Sequence, residues 1–427
     1  WRSIKESGAL VVAFGGMAPR NGQVNAGGTG RHSQAIEMLE AKNAGVEFVN
    51  ISPDRSDMAP ELHSQWISIN PNTDVALMLG LAHTLVKNNW HDTDFIDQYC
   101  IGFEQFLPYL NGEVDGQPKD ANWASKITGI PVNTITTLAR RMSQMSTLVN
   151  NSWSLTRQQN AEHIYWMLIV LTALLGGIGK PGSGFGLGLG AVAGVGSHRS
   201  KAPWAAFPAG KNPIDSYIPV ARVADMLAQP GGTYQYDGKT RTYPDIRLAY
   251  WVGGNPFHHH QDLNRLRKVW EKLETVIVHE PFWTPLARHA DIVLPATVAL
   301  ERNDLGASPR DDYLIAMRQA AKPHGLSWND HNIFATLAER LHAAASSNDN
   351  FATAFTEGKD EEQWLQDIYQ RSVTRISGNG FEMPHYENFV EQGFLKLTEP
   401  QKPRVMLQKF REDPLKYPLK TPSGRIE

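Results

Sequence analysis

The chain has 427 residues, more than one ordinary core needs, so two or three domains are expected. Hydrophobic residues make up 41% and charged residues 20%, a globular composition that excludes a disordered chain. A net charge of -3 gives no electrostatic reason for a nucleic-acid or anionic-membrane partner. The single cysteine, Cys100, rules out an internal disulfide, an iron–sulfur cluster or a thiolate zinc site built from this chain.

The first apolar strand is Leu10–Phe14, followed by the turn Gly15-Gly16-Met17. A helix is expected over 33–44, ending at Gly45, then a strand over 46–51 and the loop Ser52-Pro53-Asp54-Arg55. The loop Asn70-Pro71-Asn72-Thr73-Asp74 opens a helix over 75–86, with Thr73 or Asp74 as its N-cap. Cys100 falls in a turn-like stretch and reads as a buried thiol. A strand over 147–152 precedes a buried helix over 162–175, whose apolar run is too short to span a membrane. This strand–loop–helix repetition implies a parallel, doubly wound α/β sheet. Residues 176–190 form a glycine-dense loop, and a domain boundary is expected within 197–213. Strands over 246–252, 275–280 and 290–295, with helices over 262–273 and 328–343, then read as a second α/β domain. Both ends read as cuts through a longer protein.

In open α/β sheets the ligand crevice lies outside the carboxyl ends of the strands, so chemistry is sought in those loops. Gly15 and Gly16 allow close backbone approach, but the turn is not a dinucleotide fingerprint. Arg20 and Asn21 suit a phosphate or purine, or simply a solvated loop. Ser52 stands where many dinucleotide folds place a ribose-binding acid, and its hydroxyl can still hydrogen-bond a sugar. Asp74 can accept from a guanine edge as well as cap its helix. Trp153 and Arg157 either line a pocket or are a core tryptophan and a surface arginine. Gly253-Gly254-Asn255 reads as a second close-approach loop. His258, His259 and His260, taken as an extended run, point to alternating faces and cannot ligate one ion well.

The string from Ala287 to Asp304, with Tyr250-Trp251-Val252-Gly253-Gly254-Asn255-Pro256-Phe257, closely resembles molybdopterin oxidoreductases. Asn72-Thr73-Asp74-Val75-Ala76-Leu77-Met78-Leu79-Gly80, residues 153–157, residues 176–187 and Thr421-Pro422-Ser423-Gly424 resemble the sulfoxide and N-oxide reductase branch. Resemblance covers nearly the whole chain. It implies two doubly wound, Rossmann-like α/β domains of a multidomain catalytic subunit. Residues 1–205 would supply most of the family's third domain, 206–420 the returning part of its second, and 421–427 the start of a C-terminal barrel. The implied cofactor is molybdenum bis(molybdopterin guanine dinucleotide), with the metal's serine ligand upstream of Trp1, so no metal ligand is assigned. Carried over by position, cofactor contacts fall on Arg20, Asn21, Ile51, Ser52, Asn72, Thr73, Asp74, Trp153, Ser154, Arg157, Asn255 and His279. Trp153 and Arg157 also face the substrate funnel. This chain departs from the family pattern at Phe14-Gly15-Gly16-Met17, at Ser52 and over 305–313.

The implied activity is removal of oxygen from trimethylamine N-oxide, dimethyl sulfoxide or biotin sulfoxide. The alternatives are a formate dehydrogenase or nitrate reductase of the same class, or a non-catalytic nucleotide-binding module. The expected electron donor is a protein such as a c-type cytochrome. A periplasmic location is expected, with a cytoplasmic one as the alternative, and neither nucleic acid nor a membrane span in this chain is expected.

Overall fold

A computed structural model describes the chain except residues 25–29, 193–194, 198–201, 215, 237, 309–310, 346–349, 378–381 and 398–403. The expected boundary stretch 197–213 and the segment 305–313 therefore lie partly outside the described residues. The chain forms two compact units: Trp1–Lys201 with Ser308–Asp312 and Leu397–Glu427, and Ala202–Ala307 with Tyr313–Lys396.

In chain order the first unit contains α1 (Arg2–Ser7), β1 (Leu10–Phe14), α2 (Gln34–Asn43), β2 (Glu47–Ile51), β3 (Gln65–Ile67) and α3 (Asp74–Lys87). It continues with α4 (Thr93–Tyr99), α5 (Phe103–Asn111), α6 (Ala121–Thr128), α7 (Val132–Gln144), β4 (Thr147–Asn151), α8 (Glu162–Leu174) and β5 (Gly184–Leu187). The five strands pair in the order β3-β2-β1-β4-β5, every neighbour parallel. Both faces are covered. Leu10, Val12 and Phe14 of β1 pack with Leu77 and Leu81 of α3, Leu138 of α7 and Leu168 of α8. Val11 and Ala13 face the other way, onto Ile4, Met38 and Ala41 of α1 and α2. Double burial explains why these strands read as apolar runs rather than alternating patterns.

The second unit holds α9 (Val223–Ala228), a β6–β7 hairpin (Thr233–Tyr236, Lys239–Thr242), β8 (Leu248–Val252), α10 (Pro256–His259), α11 (Leu263–Trp270) and β9 (Thr275–His279). After these come β10 (Ile292–Leu294), β11 (Asp304–Ala307), β12 (Tyr313–Met317), α12 (Asp330–Ala344), α13 (Phe351–Thr356), α14 (Glu361–Ser377), α15 (Tyr386–Gln392) and β13 (Phe394–Lys396). β10-β9-β8 form a parallel sheet and β11-β12-β13 an antiparallel one. Val276 and Val278 of β9 pack on Leu266 and Trp270 of α11. The expected helix 262–273 runs from 263 to 270: Asp262 is its N-cap, accepting from the Arg265 amide at 3.1 Å, and it ends before Glu271. Among the described residues no helix is long and apolar enough to cross a membrane.

The units differ from the expected ranges at the far end of the chain. Residues 397–427, expected partly in the second domain and partly as the start of a third, group with the first unit. Their last helix, α16 (Gln408–Glu412), carries Arg411. Its Nη1 donates to the Gly176 and Ile178 carbonyls at 2.9 and 2.7 Å, and its guanidinium lies 5.0 Å from the Phe95 ring. Ile426 forms a parallel bridge with Cys100. Cys100 is half-buried there, and burial pushes its thiol up to about 11, so it is no thiolate at neutral pH.

Arg411→Ala in the full-length protein leaves two carbonyls without their charged donor. We expect it to lower unfolding free energy by roughly 2–3 kcal/mol in urea titrations. A loss below about 0.5 kcal/mol, the size of a silent surface change, would show that the clamp contributes nothing.

Candidate functional site: the carboxyl edge of the parallel sheet

Because all five strands of the first unit run parallel, their carboxyl ends lie along one edge. The loops leaving β1, β2, β3 and β4 carry Arg20 and Asn21, Ser52, Asn72 to Asp74, and Trp153 to Arg157. Asn255 and His279 lie on the second unit, at the carboxyl ends of β8 and β9.

Two of the expected contacts turn inward. The Ile51 side chain is fully buried in the core, and its carbonyl accepts from the Gly15 amide at 2.8 Å. Ser52 is only 1% exposed. Its hydroxyl donates to Asp57 Oδ2 at 2.6 Å and accepts from the Asp54 amide at 3.2 Å, so it is used up within the protein. Asp57 also accepts from Arg20 Nη2 on Oδ1 at 2.5 Å. Asn21 is half-buried in the 3-10 turn Pro19–Gln23.

Capping at α3 differs from expectation. Thr73 holds the N-cap position, but its hydroxyl donates to the Asn70 carbonyl at 2.6 Å instead of capping. Asn72 takes the left-handed φ of 65° that swings the chain into the helix. Asp74 is the first helical residue and is 4% exposed. Burial holds its carboxyl above the ordinary 3.8, outweighing the bond to its own amide and the approach of Gln158, both of which favour the charged form. The Gln158 Nε2 makes no well-formed hydrogen bond despite that approach.

Trp153 and Arg157 share the 3-10 helix Trp153–Arg157, whose N-cap Ser152 accepts from the Ser154 amide at 3.4 Å. The Ser154 hydroxyl also bonds Ser152, at 3.0 Å. At about three residues per turn, residues four apart lie roughly 120° apart around the axis. Trp153 and Arg157 therefore do not share a face. The Trp153 indole donates to the Leu187 carbonyl at 3.1 Å and lies against Gly188, where a Cβ would come within 2.0 Å of its Nε1. Arg157 is exposed and has no hydrogen-bond or ion-pair partner among the described residues.

Three asparagines on the last rungs of the sheet do not stand out in the sequence. Asn50, Asn150 and Asn151 are fully buried, and each keeps one unpaired amide atom: Asn50 Oδ1, Asn150 Nδ2 and Asn151 Oδ1. Polar residues interrupting Phe48-Val49 and Leu148-Val149 were the available signal. Each unsatisfied buried group costs about 1–3 kcal/mol, so this edge calls for polar partners.

In the second unit, Gly253 and Gly254 adopt φ of 71° and 82°, and Asn255 Oδ1 is buried without a partner. His279, expected to contact cofactor, is committed to protein groups through both ring nitrogens. Nε2 meets the Tyr250 hydroxyl and Nδ1 meets Asp330 Oδ1, each at 2.8 Å. Burial, and Asp330 nearby, raise the Tyr250 hydroxyl above its ordinary range. His258 and His259 sit in α10, not on an extended chain. Among the described residues no group of three or more His, Cys, Asp or Glu side chains is arranged to hold a metal.

The family model described as "Molybdopterin oxidoreductase" matches residues 7–340, and the chain belongs to that family. Its relatives include the biotin sulfoxide reductase of Cereibacter sphaeroides, 44% identical over 99% of this chain and 56% of that protein. The dimethyl sulfoxide/trimethylamine N-oxide reductase of Rhodobacter capsulatus is 43% identical over 92% of this chain and 48% of its own length. The trimethylamine-N-oxide reductase of Haemophilus influenzae is 39% identical over 100% of this chain and 53% of its own length. The chain thus spans about half the length of the curated relatives it matches. The fold is also similar to that of acetylene hydratase from Pelobacter acetylenicus, with TM-score 0.54 and 16% identity over 98% of this chain and 55% of that one. The family uses a molybdenum–pterin cofactor. The unpaired carboxamides and the buried Asp74 carboxyl fit a polar, hydrogen-bonding ligand.

A carboxyl whose folded value is raised stabilises the fold below its unfolded value and loses that contribution as pH rises through the folded value. In cofactor-free protein, Asp74→Asn should therefore gain stability over wild type as pH climbs from about 3.8, levelling off above the raised folded value. Unfolding curves at several pH values measure this, and a difference that stays flat from pH ~3 to pH ~8 would refute a strained Asp74.

Proposed function

We propose that the full-length protein is a molybdenum-dependent reductase that removes oxygen from S-oxides or N-oxides, and that this chain supplies much of its nucleotide-binding scaffold. One observation carries this reading: relatives at 39–44% identity over 92–100% of the chain are named biotin sulfoxide, dimethyl sulfoxide/trimethylamine N-oxide and trimethylamine-N-oxide reductases. Those names favour oxide reduction over the formate dehydrogenase or nitrate reductase reading. We infer the bis(molybdopterin guanine dinucleotide) form of the cofactor, two doubly wound folds to carry it, a c-type cytochrome as donor and a periplasmic location. When bound, the molybdenum–pterin group supplies two-electron redox chemistry, by which an oxide, two electrons and two protons give the reduced compound and water.

The chain's own residues position and bind. Asp74 accepts from the amino and imino hydrogens of a guanine edge, and those donors favour its charged form against burial. Arg20 donates to a phosphate, and Asn21, Asn72 and Asn255 offer amide groups to the nucleotides. Arg157 offers a planar guanidinium fork that can orient the dipolar oxygen of a substrate. Trp153, fixed by its hydrogen bond to Leu187 and its contact with Gly188, presents a rigid apolar wall to the substrate.

The test is direct. Purified full-length protein should contain molybdenum, release GMP on acid hydrolysis and oxidise reduced viologen with at least one of the three oxides. A protein without bound pterin, or with pterin but no oxide turnover, overturns the reading. Within it, Arg157→Lys keeps the charge but loses the planar fork. We expect full molybdenum loading with kcat/KM lowered roughly tenfold or more, one decade for each ~1.4 kcal/mol by which the transition state is less well stabilised. Wild-type kinetics on several oxides would place Arg157 away from the substrate.

A further inference from the structure

Many dinucleotide folds place an acid at the end of the second strand, where this chain has Ser52. A carboxylate reaches the same corner by another route. Asp54 caps the turn Arg55–Asp57, accepting from the Ser56 amide at 2.8 Å and from its hydroxyl at 2.9 Å. The turn brings Asp57 back against the strand ends, where it joins two loops. Its Oδ2 accepts from the Ser52 hydroxyl at 2.6 Å, its Oδ1 accepts from Arg20 Nη2 at 2.5 Å, and its backbone carbonyl accepts from the Met17 amide at 2.7 Å. Gly16, at φ 70°, allows this approach, since a Cβ there would lie 2.5 Å from both the Asp57 Cβ and its carbonyl oxygen. Exposure grades outward along this series of bonded side chains, from Ser52 at 1% through the Asp57 side chain at 20% to the Arg20 side chain at 59%.

We propose that Asp57 is a positioning residue of the nucleotide cradle: anchored from behind by Ser52, it holds the Arg20 guanidinium in place for the anionic sugar–phosphate part of the nucleotide. The proposal rests on the reading that this edge binds the nucleotide. An unheld, exposed arginine samples many rotamers and loses that freedom on binding, whereas one already held does not. The bond to Asp57 uses one of five N–H donors, which leaves the others for a phosphate. Ser52 then acts through Asp57 rather than by touching the sugar, which accounts for its burial.

The experiment follows nucleotide loss from full-length holoenzyme at increasing salt, scored as GMP in the protein-free filtrate after acid hydrolysis, with melting temperature measured in parallel. Arg20→Gln and Asp57→Asn should each speed loss roughly tenfold, the scale of one charge-assisted hydrogen bond, and each should flatten its dependence on salt. If Asp57 acts through Arg20, the double variant loses nucleotide no faster than the worse single one. Ser52→Ala should have a smaller effect in the same direction, absent in the Asp57→Asn background. Multiplying effects in the double variant, or an unchanged salt dependence with a lowered melting temperature, would mean a purely structural Asp57 and overturn the proposal. If Arg20→Gln and Asp74→Asn lose nucleotide faster while Asp57→Asn does not, only the positioning role fails. If none of the three does, the nucleotide reading of this edge fails with it. Should Asp57→Asn not accumulate as folded protein, Asp57→Glu serves: it keeps the charge but displaces it by one methylene. Faster loss at an unchanged melting temperature supports the proposal, and loss at the wild-type rate overturns it.

Discussion

Burial on both faces is the constraint on which the first unit depends. β1 and β4 have no exposed residue, and β2 has one, at its start. A parallel sheet packed this way offers a ligand no face, only the edge where its strands end. In this unit the loops that carry Arg20, Ser52, Asp74 and Arg157 all leave from that edge. The asparagines on the final rungs, Asn50, Asn150 and Asn151, mark where the apolar interior gives way to polar chemistry.

Two carboxylates at this edge have contrasting electrostatics. Asp57 has an arginine and a hydroxyl as partners and lies close enough to solvent for its charge to be tolerated. Asp74 has no cation among its partners and lies almost fully buried. A polar interior group without partners is costly, and such costs are kept where a ligand meets them. The sheet edge therefore combines a self-satisfied corner after β2 with an unsatisfied one after its neighbour β3.

Much of this architecture could be read from local pattern. Strands β1, β2, β4, β8 and β9 and helices α3, α8 and α12 were visible because apolar runs bounded by Gly, Pro and Asn need no tertiary information. The loops were legible for the same reason, since a parallel sheet fixes where they gather. Side-chain direction was not legible. Ile51 and Ser52 sit at the right end of the right strand, yet point into the core and into Asp57. His279 looks available in sequence, but Tyr250 and Asp330, 29 and 51 residues away, take both its nitrogens. Trp153 and Arg157 look like neighbours four apart until the 3-10 turn rotates them away from each other. Helices α4 to α6 are only seven to nine residues long, and α5 has Pro108 inside it, while α7 opens on the β-branched, polar run Val132-Asn133-Thr134-Ile135-Thr136-Thr137, so none of them stood out by local pattern.

The return of residues 397–427 to the first unit bears on synthesis at the ribosome. Gly176 and Ile178 emerge long before Arg411, and Cys100 long before Ile426. The chain must grow by 235 residues from Gly176 to reach Arg411, and by more from Cys100 to reach Ile426, which at about 5–20 residues per second is on the order of 10–60 s. Throughout that interval the aromatic patch of Phe95 and Tyr99, later covered by Phe410 and Arg411, stays open to water. The nascent first unit thus presents a sticky, unfinished surface for far longer than an ordinary domain, and a chaperone that shields aromatic surface would have its natural target there.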